Sequence, residues 1–238
     1  MHRDPFWNLA ARRRERRRER DDRGLTLVEL LVAMGIFSGA VALAFSAVIT
    51  IVQMSNEAQR SADASAELRI AVAQIDRQVR SGNVLFSPAD ELTTGCSPVG
   101  AFAGTCMRIY TQSNGDHKCV QWQLIEDDSP GATQDTYVLR TRSWDPDWAS
   151  GSGEITSWGV VARGLHYESG VTDAPFTLSA ALDVGTPVTA YGERMLVLHL
   201  ESVDTRSGKS VEIESSVTGR NTSYGYSGGQ CSPVPASP

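Results

Sequence analysis

Glu29 is the only charged side chain between Leu25 and Val52, a 28-residue stretch reading LTLVELLVAMGIFSGAVALAFSAVITIV. A carboxylate at the centre of a bilayer costs roughly 2.5–3.5 kcal/mol on insertion scales, so one held there calls for a cationic partner. Gly24 lies five residues before it, at the end of an arginine-rich leader. Other spacings suggest chemistry and then fail a requirement of it. Gly225-Tyr226-Ser227-Gly228-Gly229 matches GxSxG, but a nucleophile elbow joins a strand to a helix with its His later in the chain, and no His follows Ser227. Gly208-Lys209-Ser210 matches the end of a phosphate loop, yet Val203 stands where the first Gly is required. Asp145, Asp147 and Glu154 could gather around calcium, but Ala149 occupies the third ligand position of an EF-hand-type loop. His117, His166 and His199 are isolated, and Trp144, Trp148 and Trp158 are read as the cover of one core edge, with a ligand platform as the alternative. The expectation is a protein without catalytic residues, metal or cofactor.

The elements that carry these residues differ sharply in charge. Residues 1–24 hold nine arginines against five acids, whereas the remaining 214 residues hold 13 basic and 23 acidic side chains, a balance of −10. About 20 apolar residues suffice to cross a bilayer as a helix. The basic flank precedes the apolar run, so the positive-inside rule puts residues 1–24 in the cytoplasm and the bulk of the chain outside. The run is too long for a secretory signal peptide, and no small-x-small site follows it. Arginine-rich leaders can bind nucleic acid, but beside a span this one sets topology and meets anionic lipid. No nucleic-acid partner is expected.

The junction Arg23-Gly24-Leu25-Thr26-Leu27-Val28-Glu29-Leu30-Leu31-Val32-Ala33 resembles the class III signal of type IV prepilins and type II secretion pseudopilins. That resemblance implies cleavage between Gly24 and Leu25 by a membrane prepilin peptidase, N-methylation of Leu25, and Glu29 as the fifth-position assembly carboxylate. Leu25 departs from the commoner Phe or Met. An amine created in or beside the bilayer needs a counter-charge, and a carboxylate on a neighbouring subunit would supply it while setting helix register.

Beyond the span, Leu68, Val72, Ile75 and Val79 recur at helical spacing, with Ala64 and Ala71 beside them, and Ser81-Gly82-Asn83 reads as a stop. Gly35 and Gly39 have GxxxG spacing. After Asn83 the period becomes 2. Met107–Gln112 with Cys119–Ile125, and Met195–Asp204 with Ser210–Val217, read as hairpins, and Thr136–Trp144 and Gly159–Tyr167 as further strands. The spacing therefore predicts an α+β chain, its long N-terminal helix packed against an antiparallel β-sheet. The segments are a cleaved leader (1–24), a transmembrane or filament-core half-helix (25–54), an amphipathic half (55–82), an extracytoplasmic β domain (83–220) and a flexible tail (221–238).

Four cysteines follow the span, an even number on an oxidising face. The first hairpin, read with Cys106 opposite Leu124 and Cys119 opposite Thr111, places those two cysteines badly for each other. The expected pairs are Cys96–Cys106, closing a short loop, and Cys119–Cys231, pinning the tail.

The layout of long helix, sheet and closing strand pair (MLVLHLESVDTRSGKSVEIESSVTGRN), with Ile75-Asp76-Arg77-Gln78-Val79-Arg80 ending the helix, is similar to minor pilins of the PilW-like and J-type groups. The resemblance implies a pilin-like fold, a structural role, and other pilin or pseudopilin subunits as partners. Membrane lipid is the surrounding before assembly. The competing readings are a type II secretion pseudopilus subunit, and a tip adhesin or DNA-uptake module that would use the tryptophan loop.

Overall fold

The structure is a computed structural model that describes residues 26–91, 104–112, 115–130, 132, 136–167, 174–180, 193–204, 208–219, 222–226 and 229–236 of the 238-residue chain. The chain divides into two compact units, Met1–Asn56 and Glu57–Pro238. One helix, α1 (Leu27–Arg80), begins in the first and ends in the second.

In the first unit the apolar side chains of α1 point outward all round; Leu27, Ile36, Phe37 and Leu43 are each at least 70% exposed. The helix is long and apolar enough to cross a membrane. In the second unit the repeat Leu68, Ala71, Ile75 and Val79 is buried to 1% exposure or less, while Val72 is half-buried beside it. The spacing i, i+3, i+7, i+11 keeps these four on one stripe. That stripe meets the sheet residues Met107, Ile109, Val120, Trp122, Leu124 and Leu139 in the main core. Trp122 Nε1 donates to Gln78 Oε1 at 2.6 Å, so the largest core side chain is also hydrogen-bonded to the helix.

The helix ends abruptly, and its last carbonyls find partners far along the chain. Ser81 N–H and Oγ both donate to Arg77 O, Thr111 Oγ1 donates to Gln78 O, and Thr222 Oγ1 donates to Val79 O and Gly82 O. A buried helix terminus requires such acceptor satisfaction. Gly82 then opens a strand directly, with no intervening loop.

The described strands are β1 (Gly82–Phe86), β2 (Cys106–Thr111), β3 (Lys118–Glu126), β4 (Thr136–Trp144), β5 (Gly159–His166), β6 (Phe176–Ala180), β7 (Glu193–Asp204), β8 (Lys209–Val217) and β9 (Ser223–Tyr226). They form one sheet in the order β6-β7-β5-β4-β3-β2-β1-β9, with β8 also paired to β7. Every pairing is antiparallel except β1 with β9, which is parallel. This is an α+β arrangement of the pilin type, a long N-terminal helix against a mostly antiparallel sheet.

Two expectations need correction. In the first hairpin Cys106 faces Gln123 and Cys119 faces Tyr110, one residue from the expected register. The ladder closes at Thr111 with Lys118, leaving a loop of even length, and Gly115 adopts φ +87° within it, a conformation that glycine tolerates without cost. The second correction concerns residues 221–238, expected as a flexible tail. Ser223–Tyr226 forms β9, and Cys231 is 3% exposed in a second core with Val84, Phe86, Cys119 and Trp144. Tyr110, Trp148 and Val234 pack against that cluster. Residues 229–236 lack hydrophobic period because they lie across the outer face of the sheet as a strap, held at a few anchors. That outer cover also explains why β3 is buried on both faces, Gln121 and Gln123 included.

Candidate functional site

Thr26 and Glu29 build the start of α1. The Glu29 backbone N–H donates to Thr26 Oγ1 at 3.2 Å, and Glu29 is the acidic residue of the first turn. Thr-x-x-Glu is a capping-box spacing, in which the hydroxyl satisfies one of the four orphan N–H groups and the carboxylate favours the positive helix end. The Thr26 cap was readable from the sequence but was overshadowed by the oddity of Glu29. Gly24 and Leu25 lie outside the described residues. The described part is thus a capped, apolar helix with one carboxylate in its first turn and no apolar cover of its own.

The family model for the prokaryotic N-terminal methylation motif matches residues 20–45. The match supports a type IV pilin or pseudopilin. It spans the end of the arginine-rich segment, the Gly24–Leu25 junction, Glu29 and the front of α1. A pilin motif of this kind implies processing by a prepilin peptidase and assembly with other pilins. No curated protein and no solved structure matches the chain significantly. The pilin family is one of structural subunits, and the apolar helix with its motif fits a membrane-anchored pilin.

In the second unit the structure joins Cys119 to Cys231, with Cα atoms 5.6 Å apart and a sequence separation of 112. Cys106 is disulfide-bonded as well; Cys96, its expected partner, lies outside the described residues. Around the Cys119–Cys231 bond the strap is held by side chains of the sheet. Arg108 Nη1 donates to Cys231 O at 3.0 Å, Trp148 Nε1 to Pro233 O at 2.8 Å, and Arg142 Nη2 to Pro235 O at 2.8 Å. Arg108 is compensated by Glu91, to which it donates two bonds of 2.6 and 2.9 Å, and its guanidinium stacks on Phe86. Both charges are about 3% exposed, so each needs the other to remain ionised at acceptable cost.

The residues that suggested chemistry in the sequence have structural duties or stand apart. Gly208-Lys209-Ser210 closes the β7–β8 hairpin, with Gly208 at φ +68°, and Lys209 Nζ meets a Glu57 carboxylate oxygen at 2.7 Å. Asp145 Oδ2 accepts the Glu154 N–H at 2.9 Å, closing the 145–154 loop. Gly225 and Tyr226 belong to β9, and Ser227 lies outside the described residues. His117 stacks on Tyr110 and meets its hydroxyl at 2.7 Å; His199 lies 3.6 Å from Glu212 on the neighbouring strand. The tryptophans gather at the outer face: Trp144 is in the second core, Trp148 packs against that core and bonds the strap, and Trp158 stacks with Arg142, which also lies over Trp144.

Those arginines were not singled out in the sequence, although Arg140, Arg142 and Trp144 stand at i, i+2 and i+4 of one strand and so share a face. Burial, with the Arg140 charge beside it, pushes the Arg142 guanidinium down to about 10. Burial also lowers Arg140, against the opposing pull of Asp128.

Proposed function

We propose that this chain is a minor pilin-like structural subunit of a type IV pilus or a related pseudopilus. The observation that carries the reading is the methylation motif placed on a capped apolar helix, with the folded sheet unit further along the same chain. In this reading a prepilin peptidase cuts between Gly24 and Leu25 and the new amine of Leu25 is methylated. The chain first sits in the cytoplasmic membrane with its N-terminus inside and its sheet unit outside. It then enters an extracellular or periplasmic filament through α1.

Glu29 has two tasks in that sequence of events. Within its own chain it completes the first helical turn with Thr26. Between chains its carboxylate neutralises the ammonium of a neighbouring subunit, an interaction whose value lies in register because both charges must first be desolvated. The apolar side chains of α1 would exchange lipid for the same surface on other subunits, at little change in hydrophobic free energy, so the ion pair gives direction to an otherwise sliding contact.

The mass and N-terminal residue of the mature protein test the reading. The expected product begins at Leu25 and carries one added methyl group. Gly24→Arg should leave the 238-residue form in the membrane; mature protein of normal length from that variant would overturn the assignment.

A further inference from the structure

Arg140 and Arg142 lie on the outer face of β4, and both guanidinium groups stack on one indole. Their Cζ atoms are 4.2 and 4.4 Å from the ring centroid of Trp158, and Arg142 also lies 5.5 Å from that of Trp144. Among the described residues every hydrogen-bond acceptor they meet is neutral. Gln123 Oε1 takes Nε and Nη2 of Arg140 at 3.0 and 2.7 Å. Gln121 Oε1 takes Nε of Arg142 at 2.9 Å, and the carbonyls of Pro235 and Ala236 take its remaining nitrogens at 2.8 and 3.5 Å. Asp128 attracts Arg140 without forming an ion pair among the described residues.

Arg142 is only 4% exposed, and buried charges are normally paired. Beside it the indole Nε1 atoms of Trp144 and Trp158 are buried without an acceptor. Buried N–H groups are normally bonded, and those left bare need an explanation. Water could satisfy an N–H donor, but it would leave the charge of two adjacent cations unbalanced. A guanidinium stacked on an indole keeps its N–H edges in its own plane, and among the described residues Arg140 Nη1 meets no acceptor, leaving it available to an oxyanion. Donors and positive charge are therefore in excess here, in a chain whose remaining part is strongly acidic, and the missing component is a negatively charged acceptor.

We propose that Arg140 and the Trp158 indole, backed by Arg142, form a subsite for a small oxyanion, the carboxylate or phosphate group of a ligand. Exposure decides which end is open. Arg142 is covered by the strap carbonyls, whereas Arg140 is only half-buried, so the anion enters at Arg140. The subsite does not depend on the filament reading.

The test is a titration of the full chain in detergent micelles, with 15N-labelled tryptophan indoles followed by NMR and Trp158→Phe assigning the resonance. Sodium phosphate, sodium acetate and sodium chloride are compared at equal ionic strength. A saturable shift of the Trp158 N–H with phosphate or acetate, absent with chloride, is expected; response to one alone names the anion, and response to both a general oxyanion site. Arg140→Gln should weaken binding at least tenfold, while Arg163→Gln on β5 should leave it unchanged. If Arg140→Gln disturbs the fold, Arg140→Lys keeps the charge without the fork and should still weaken binding several-fold. No saturable shift, an equal shift with chloride, or wild-type affinity in the Arg140 variants would overturn the proposal.

Discussion

Removing the Cys119–Cys231 bond should loosen the strap and lower the stability of the sheet unit. The bond closes a loop of 112 residues. In the chain-entropy model a loop of that size removes about 16 cal/mol/K from the unfolded ensemble, or about 4.8 kcal/mol at 25 °C, and measured values commonly fall at 2–4 kcal/mol. A loss of about 3 kcal/mol lowers the melting temperature by about 6–12 °C for a unit of this size. Cys119→Ala/Cys231→Ala avoids leaving a free thiol, and because both positions are buried it also removes some packing. The bonds from Arg108, Trp148 and Arg142 to the strap remain, each worth about 1–3 kcal/mol gross of ordering cost. The variant should therefore fold, with the strap opening locally before the sheet melts. Thermal unfolding of the full chain in detergent measures the first effect; hydrogen exchange and limited proteolysis across 229–236 measure the second. A melting point within 1 °C of wild type, with the strap still protected, would refute the reasoning and assign the hold to the arginine and tryptophan bonds alone.

Two further outcomes follow from the helix. Glu29→Ala should be cut at Gly24 normally yet enter filaments at least several-fold less than wild type, read by comparing processed and assembled fractions; wild-type incorporation would remove the counter-charge role. Ile75→Ala opens a cavity at a position with no exposure and should cost about 2–5 kcal/mol, read as a lowered midpoint in denaturant, whereas Ile70→Ala on the exposed side should change stability by less than about 1 kcal/mol.

Local and periodic features were legible in the chain itself. An apolar run of 28 residues with one carboxylate, a Gly before it and arginines before that can be read without coordinates, because span length and charge asymmetry are properties of consecutive residues. The α1 stripe and the alternation in β3, β4, β7 and β8 are of the same kind. β1 escaped notice because Gly82–Phe86 follows the helix without a turn and is too short to show a period. The Cys119–Cys231 bond was expected from the sequence, but the rest of the strap's order escaped because it comes from distant partners: four side-chain bonds to its carbonyls, with the preceding β9 paired in parallel to β1. Apart from Cys231, nothing in its own sequence signals those contacts. For the same reason the burial of the outer face of β3 and β4 is not written in the strands themselves: Gln121, Gln123, Arg140 and Arg142 are polar, and only the strap and Trp158 folding over them make that face a buried, positively charged one. The sequence by itself determined the long apolar helix and the strand pattern, since both are written in nearest neighbours. What covers the sheet, and which cations lie beneath that cover, was decided by contacts between residues about a hundred positions apart.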